Sequence, residues 1–429
     1  MKISVIKYIF AVLLIIGCST STLAFDAAIA DGDTIVSPGL NAVLTEHEQK
    51  KVFTFQSEIL QNQKKIYVSL PPSYGQGNRV YPVIYVLDAE FLFDLTVSIS
   101  RFKAARYDMP ESIIVGLTNG ADSRRNMSLK TKRNKSDKRY FFNGDAKKYL
   151  KVIESELIPL IENKYASHAK QSHRTIIGMS PTLGPVFESL WSESELFKGF
   201  IGLSSHYLSQ YLESGEMVAD KILKSFSEGS NSQATLYLAM AESDVENYPL
   251  ETSTYEKLAL ALKNTSLQSN HKLEILKGEY HYLMAIPGIQ RGLNLIFPRR
   301  RSFQPDYEKF SQMDDPAAAV KAFYERRSKS LGYSLLPEGA GAGNMKINEL
   351  GYWLINNKRI KEAIAVFKLA QEYYPNNANL FDSLADAYQA NGQHDAELAA
   401  VKRAIRLTKE HPQPGLNYLN KRLEKLSSN

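Results

Sequence analysis

A serine, a short acidic loop and a histidine lie along the chain in an order that suits nucleophilic catalysis. Ser180 closes the apolar run Ile176-Ile177-Gly178-Met179, and a helix-like stretch, Pro181 to Trp191, follows directly. A sharp strand-to-helix turn of this kind, a nucleophile elbow, lifts a serine Oγ above a sheet. It also aims a helix N-terminus at the oxyanion that forms beside it. A serine hydroxyl attacks only when a base takes its proton, and the base needs an orienting carboxylate. The run Thr235 to Met240 leads into Ala241-Glu242-Ser243-Asp244-Val245-Glu246, and the run Lys272 to Leu276 leads into Gly278-Glu279-Tyr280-His281. Both run ends present side chains to the same rim as Ser180, in the order serine, acid, histidine. Glu242, Asp244 and Glu246 all qualify as the acid. His281 has the order and placement of the base, whereas His173 lies at the wrong end of its strand and His394 and His411 fall in a later region. The reaction implied needs no cofactor and no metal: the chain has no His-Glu-x-x-His, no paired cysteines and no Gly-rich phosphate loop.

The elements that must hold these residues alternate between residues 52 and 300, where short β-rich runs are separated by longer helical stretches. Strand-like runs are Lys65 to Leu70, Val83 to Leu87, Ser112 to Val115, Thr175 to Ile177, Phe200 to Leu203, Thr235 to Met240 and Lys272 to Leu276. Val83 to Leu87 is apolar throughout, as a strand covered on both faces requires. Leu150, Ile153, Leu157, Leu160 and Ile161 form a helical stripe. The pattern predicts an α/β sheet with helices on both faces, over residues 40–300.

Residues 301–345 read as linker and helix: Pro298 to Asp306 is basic and proline-punctuated, Asp315 to Leu331 is an amphipathic helix, and Pro337 to Gly343 is a small-residue linker or lid. From 346 to 429 the chain is helical and self-similar. A step of 34 residues carries Leu350-Gly351 to Leu384-Ala385 and Ala370 to Ala404, the period of a tetratricopeptide repeat. The match has gaps, with Leu354 opposite Tyr388 and Ala363 opposite Glu397. Two copies and a final helix, Gly415 to Leu426, predict a small all-α module that packs on the preceding domain or self-associates, or else offers a groove to a protein partner.

The 429 residues, 44% hydrophobic and 23% charged, suit a multi-domain globular protein, and a net charge of +6 without nucleic-acid motifs argues against a nucleic-acid partner. Lys2 and Lys7 precede an apolar run, Tyr8 to Ile16, of signal-peptide length. Two processing sites compete: one after Ala24, giving a signal peptide 1–24, and a lipobox ending at Cys18, giving a lipoprotein signal 1–17. Either predicts a periplasmic or secreted protein, with lipid anchoring through Cys18 in the second case. Cys18 is the only cysteine, so the fold rests on its core rather than on disulfides.

Several segments together resemble a family of α/β-hydrolases that includes enterochelin-type siderophore esterases, esterase D, feruloyl esterases and mycolyl transferases. They are Val68-Ser69-Leu70-Pro71-Pro72-Ser73-Tyr74, Tyr81-Pro82-Val83-Ile84-Tyr85-Val86-Leu87-Asp88, Glu156 to Glu162 with Tyr165, and His281 with Arg291-Gly292-Leu293. The fold that the resemblance implies is an α/β-hydrolase sheet followed by the tetratricopeptide-repeat module. It assigns Ser180 as nucleophile, His281 as base and Asp244 as acid, with Glu242 and Glu246 as alternatives in the same loop. It places one oxyanion donor on the backbone N–H of Glu90, and a small-molecule ester, siderophore-like in some relatives, as substrate. Arg125, in Ser123-Arg124-Arg125-Asn126-Met127-Ser128, and His206, in Leu203-Ser204-Ser205-His206, are the substrate-side candidates. One departure matters. The residue after the nucleophile normally donates its N–H to the oxyanion, and here it is Pro181, which has none. Losing one such donor costs roughly 100- to 1,000-fold in rate. The hydroxyl of Thr182 is a candidate replacement; the competing expectation is a catalytically weak scaffold acting through its helical repeats.

Overall fold

The computed structural model describes residues 50–427, except 76–78, 106–107, 121, 133–142, 193–195, 206, 228–233, 248, 265–270, 298–304, 332–334, 338–344 and 411–414. The signal-peptide residues with Cys18, the pocket candidate His206 and His411 lie outside the described residues. No described helix is long and apolar enough to cross a membrane.

Eight strands form one sheet in the order β1-β2-β4-β3-β5-β6-β7-β8. They are β1 (Lys50–Ser57), β2 (Asn62–Ser69), β3 (Val83–Leu87), β4 (Ile113–Leu117), β5 (Arg174–Met179), β6 (Gly199–Leu203), β7 (Thr235–Ala241) and β8 (His271–Leu276). From β4 to β8 every neighbouring pair is parallel, while β1 and β2 form an antiparallel hairpin added at one edge. β1 escapes the sequence pattern because it is the edge strand: its burial is only partial, so its apolar alternation is diluted by lysines.

Alternation along β3 sorts side chains into two cores. Val83, Tyr85 and Leu87 face a core with Tyr149, Ile153, Leu183, Phe187, Ile222 and Tyr255, and Ile84 and Val86 face one with Leu92, Phe93, Ile289 and Leu293. Helices Ala89–Ala104 and Ala285–Ile296 therefore cover one face and the remaining crossover helices the other. The helical stripe expected between 147 and 164 runs from Ala146 to Lys164 with a π turn at Ile153–Leu157. Pro159, just after that turn, has no N–H to give to an i−4 carbonyl, which locally relaxes the ladder. Glu156 on the turn accepts from Ser57 Oγ (2.7 Å) and Ile59 N (3.0 Å), which ties the β1–β2 hairpin to the sheet's helical layer.

The C-terminal part consists of helix pairs, Met345–Asn356 with Ile360–Tyr373 and Ala378–Ala390 with His394–Glu410, closed by Leu416–Ser427. Gly351 is required: a Cβ there would come 2.4 Å from the Phe367 ring, so the helices meet only through a missing side chain. Within 301–345, read from the sequence as linker and helix, the described residues hold the expected amphipathic helix and a short helix before it. Helices Tyr307–Ser311 and Pro316–Leu331 put Phe310, Val320 and Tyr324 into the same core as Ile347, Leu350 and Phe367. Arg359 clasps the turn between them, donating to Ser311 O and Met313 O at 2.7 Å each. Towards the sheet, Arg79 donates to the Tyr373 carbonyl and lies 5.1 Å from the Tyr374 ring.

Candidate active site

β5 is buried along its whole length and stops at Met179. Gly178 allows the chain to turn, since a Cβ there would lie 2.6 Å from the Thr182 carbonyl. Ser180 then adopts φ +56°, left-handed backbone that costs a non-glycine residue about 1 kcal/mol or more. A short 3₁₀ turn, Ser180–Thr182, leads into the helix Leu183–Trp191. The buried Tyr207 hydroxyl donates to the Ser180 carbonyl (3.1 Å), and its burial pushes its own pKa well up, so it stays a donor.

His281 and the acidic loop reach the same rim from β8 and β7. His281 Nδ1 lies 2.7 Å from Asp244 Oδ1, and Asp244 is almost fully buried. The other two carboxylates are placed elsewhere: Glu242 accepts from the backbone N–H of Gly278 (2.8 Å), and Glu246 is exposed. Ser204, one residue past β6, donates its hydroxyl to Asp244 Oδ2 (2.6 Å) and sits 2.8 Å from His281 Nδ1. A carboxylate facing Nδ1 assigns the imidazole proton to that nitrogen and leaves the lone pair on Nε2, the tautomer a general base needs.

Beneath the elbow is a buried carboxylate. Asp88 follows β3 with φ +54° and accepts from Arg124 Nε (2.7 Å), Arg124 Nη2 (2.8 Å), Asn119 Nδ2 (2.7 Å) and Thr182 Oγ1 (2.7 Å). This corrects the expectation for Thr182: its buried hydroxyl is held by Asp88 and the Met179 carbonyl (3.0 Å) and accepts from Met179 N (2.9 Å), so it is not available to an oxyanion. Burial disfavours the charged form of Arg124, but the Asp88 carboxylate outweighs it and raises the guanidinium pKa above its ordinary value. Of the two neighbouring arginines, Arg125 is exposed, and Arg124 is the one that enters the site. Glu90 lies in the first turn of helix Ala89–Ala104, where N–H groups have no intrahelical acceptor, and its carboxylate accepts from Asn119 N (2.7 Å) and Gly120 N (3.1 Å).

The sequence reading passed over Asp88, Arg124 and Ser204 as functional residues. A polar residue directly after a fully apolar strand was the available signal for Asp88 and Ser204, since such a residue is buried and must find partners. Around the opening Phe91, Tyr280, Tyr282, Leu283 and Ile286 are exposed. Phe91 and Tyr282 meet edge-on at 6.2 Å, and Tyr282 meets His281 at 4.9 Å. Among the described residues no group of three His, Cys, Asp or Glu is placed to hold a metal ion.

The sheet order, the elbow after β5 and the acid and histidine after β7 and β8 match an α/β-hydrolase fold. The same fold is seen in an IroE-like serine hydrolase from Shewanella oneidensis, with 20% identity, 76% of this chain and 99% of that chain covered, and a TM-score of 0.52. An uncharacterised protein from Capnocytophaga ochracea matches at 17% identity over 89% of this chain and 100% of its own, with a TM-score of 0.50. The model of the family described as "Putative esterase" matches residues 57–286, more than half of the chain, and the chain belongs to that family of ester hydrolases. A curated relative, the uncharacterized protein YbbA of Bacillus subtilis, is 27% identical over 126 residues, 29% of this chain and about half (49%) of that protein's length.

Proposed function

We propose that the chain is an exported serine esterase that cleaves a small-molecule carboxylic ester through an acyl-enzyme on Ser180. The observation that carries this reading is the buried Asp244 held 2.7 Å from His281 Nδ1, on the rim where Ser180 is turned up in left-handed backbone. In the reaction His281 Nε2 takes the Ser180 hydroxyl proton as Oγ bonds to the ester carbon, and the carbonyl π pair moves onto oxygen. Collapse of that oxyanion breaks the C–O bond to the alcohol, which leaves with the proton from His281. Water repeats the sequence on the acyl-enzyme and frees the acid. Asp244 stabilises the imidazolium, Ser204 fixes the carboxylate, and Glu90 N–H is one oxyanion donor. The exposed aromatic rim suits an ester with a flat or bulky apolar group, and the family resemblance makes siderophore-like triscatecholate esters the first substrates to try.

Lys2, Lys7 and the apolar run Tyr8 to Ile16 support export to the periplasm, with Cys18 as the alternative lipidation point. The 34-residue spacing between Ile360 and His394, the first residues of the second helix in each pair, supports tetratricopeptide-type repeats available to a protein partner or a second copy. Pro181 favours a second reading, a hydrolase-fold scaffold with little turnover. Fluorophosphonate labelling and turnover of p-nitrophenyl acetate separate the two: the esterase reading expects labelling that Ser180→Ala abolishes, and an unlabelled, inactive wild type would sink it.

A further inference from the structure

Pro181 also acts on the backbone of the nucleophile itself. Through its ring Cδ a proline pushes the residue before it towards extended backbone, and the Cβ of Ser180 independently opposes a φ of +56°. The turn at Ser180 therefore needs a hold from outside the elbow. Among the described residues two donors reach its carbonyl. One is the N–H of Leu183, which is shared with the carbonyl of Pro181. The other is the hydroxyl of Tyr207, four residues past the end of β6, at 3.1 Å. Tyr207 is fully buried, and its ring meets that of Phe187, on the helix after the elbow, edge-on at 5.9 Å. Two residues further on, Ser209 gives its N–H (3.1 Å) and its hydroxyl (2.6 Å) to the buried carboxylate of Glu251, in the first turn of helix Pro249–Lys263. Ser204, which donates to Asp244, precedes Tyr207 by three residues. β6 lies between β5 and β7, so residues after it reach the nucleophile on one side and the acid on the other.

We propose that Tyr207 is a positioning residue: its hydroxyl holds the Ser180 carbonyl, and through it the direction of Oγ, in a turn that Pro181 would otherwise open. This rests on the esterase reading. The peptide plane between Ser180 and Pro181 moves with ψ of Ser180. Without the Tyr207 bond that plane relaxes towards the extended backbone favoured before a proline, and Oγ swings relative to His281. A displacement of about 1 Å at a reacting atom costs on the order of 100-fold in rate. The hold is rigid because Phe187 fixes the ring of Tyr207 and the Ser209–Glu251 pair fixes the backbone that follows it. Ser204 and Tyr207 then set the acid–base pair and the nucleophile against each other from positions three residues apart.

The test is a double-mutant cycle on the full-length mature protein, read by kcat and KM for p-nitrophenyl acetate and by the rate of fluorophosphonate labelling. Tyr207→Phe keeps the ring and removes only the hydroxyl. Well below its thermal melt it should lower kcat and the labelling rate in parallel by roughly tenfold or more, with KM little changed. Pro181→Ala removes the ring that drives the turn open, so in that background the same substitution should lower both rates by less than about threefold. An equal loss in both backgrounds, or rates unchanged by Tyr207→Phe, overturns the assignment, because a tyrosine that merely fills the core would not couple to the proline. If Tyr207→Phe does not fold, the cycle is run on Glu251→Gln, which loosens the anchor of Tyr207 and leaves its hydroxyl. A smaller loss that Pro181→Ala suppresses then supports the role; no loss, or one that Pro181→Ala leaves unaltered, overturns it. A wild type inert to both probes defeats the esterase reading itself. An active wild type with an additive cycle defeats only the role of Tyr207.

Discussion

The sheet rim and the C-terminal helical stack each hold an arginine among carboxylates, yet they use it differently. At the rim Arg124 meets a single carboxylate, the buried Asp88, and the carbonyl of Met179. In the stack Arg422 meets three carboxylates, bonded to Asp382 (2.8 Å), Asp386 (2.7 Å) and Glu397 (3.1 Å), where it pins the last helix to the second pair. Backbone strain divides the same way. Of the five described non-glycine residues with positive φ, three (Asp88, Ser180 and Ser204) directly follow β3, β5 and β6, which lie side by side. In the stack the left-handed position falls in the turn inside each helix pair, at Lys358 and, 34 residues later, at Gly392. Strained backbone collects where side chains must be aimed, whereas the stack places its bend where glycine suffices.

The largest effect should follow from Ser180→Ala, which removes ester hydrolysis by roughly 10⁶-fold in kcat with the fold intact, measured as turnover beside a thermal melt. Asp88→Asn tolerates the left-handed backbone but removes the charge beneath Arg124. It should destabilise by about 3 kcal/mol in chemical denaturation and depress turnover as well. Arg422→Met should cost a similar ~3 kcal/mol by stranding the buried Glu397 beside two half-buried aspartates, yet leave kcat/KM unchanged; a loss of turnover there would break the distinction between the two arginines. A smaller effect is pH-dependent. Burial, and then the neighbouring His173, with which its ring stacks at 4.0 Å, lower the His168 pKa to about 4. The unfolded chain binds this proton below its ordinary pKa near 6.5. Stability should therefore be full above about 6.5 and fall as the pH drops towards 4, by on the order of 1 kcal/mol once solvent screening is allowed for. His168→Gln should flatten that part of the denaturation-midpoint profile. Smallest of all, Lys358→Gly should stabilise the protein by about 0.5–1 kcal/mol in thermal melts, giving the first helix pair the turn residue the second already has.

How far each part was legible in the sequence follows from the same contrast. Parallel strands buried on both faces read as unbroken apolar runs, so β3, β5, β6 and β7 stood out, while the half-exposed edge strand β1 did not. The chain order of serine, acid and histidine was readable because strand ends in a parallel sheet share one rim. The register inside the acidic loop was not, since Glu242, Asp244 and Glu246 differ only in where a short helical turn points them. The gap in the repeat pattern at Glu397 has its reason in Arg422, which comes from a helix outside the repeat and supplies the charge that lets a glutamate take a buried alanine's place.

Local composition determined the elements, their order, the strand–turn–helix at Ser180 and the absence of a backbone donor at Pro181, because periodicity and missing hydrogens are properties of neighbours in the chain. Tertiary structure decided which carboxylate meets His281, that Thr182 is bound to Asp88, and that Arg124 rather than Arg125 enters the site. Each of those depends on residues from separate strands and loops arriving within about 3 Å of one another, and only packing brings such residues together.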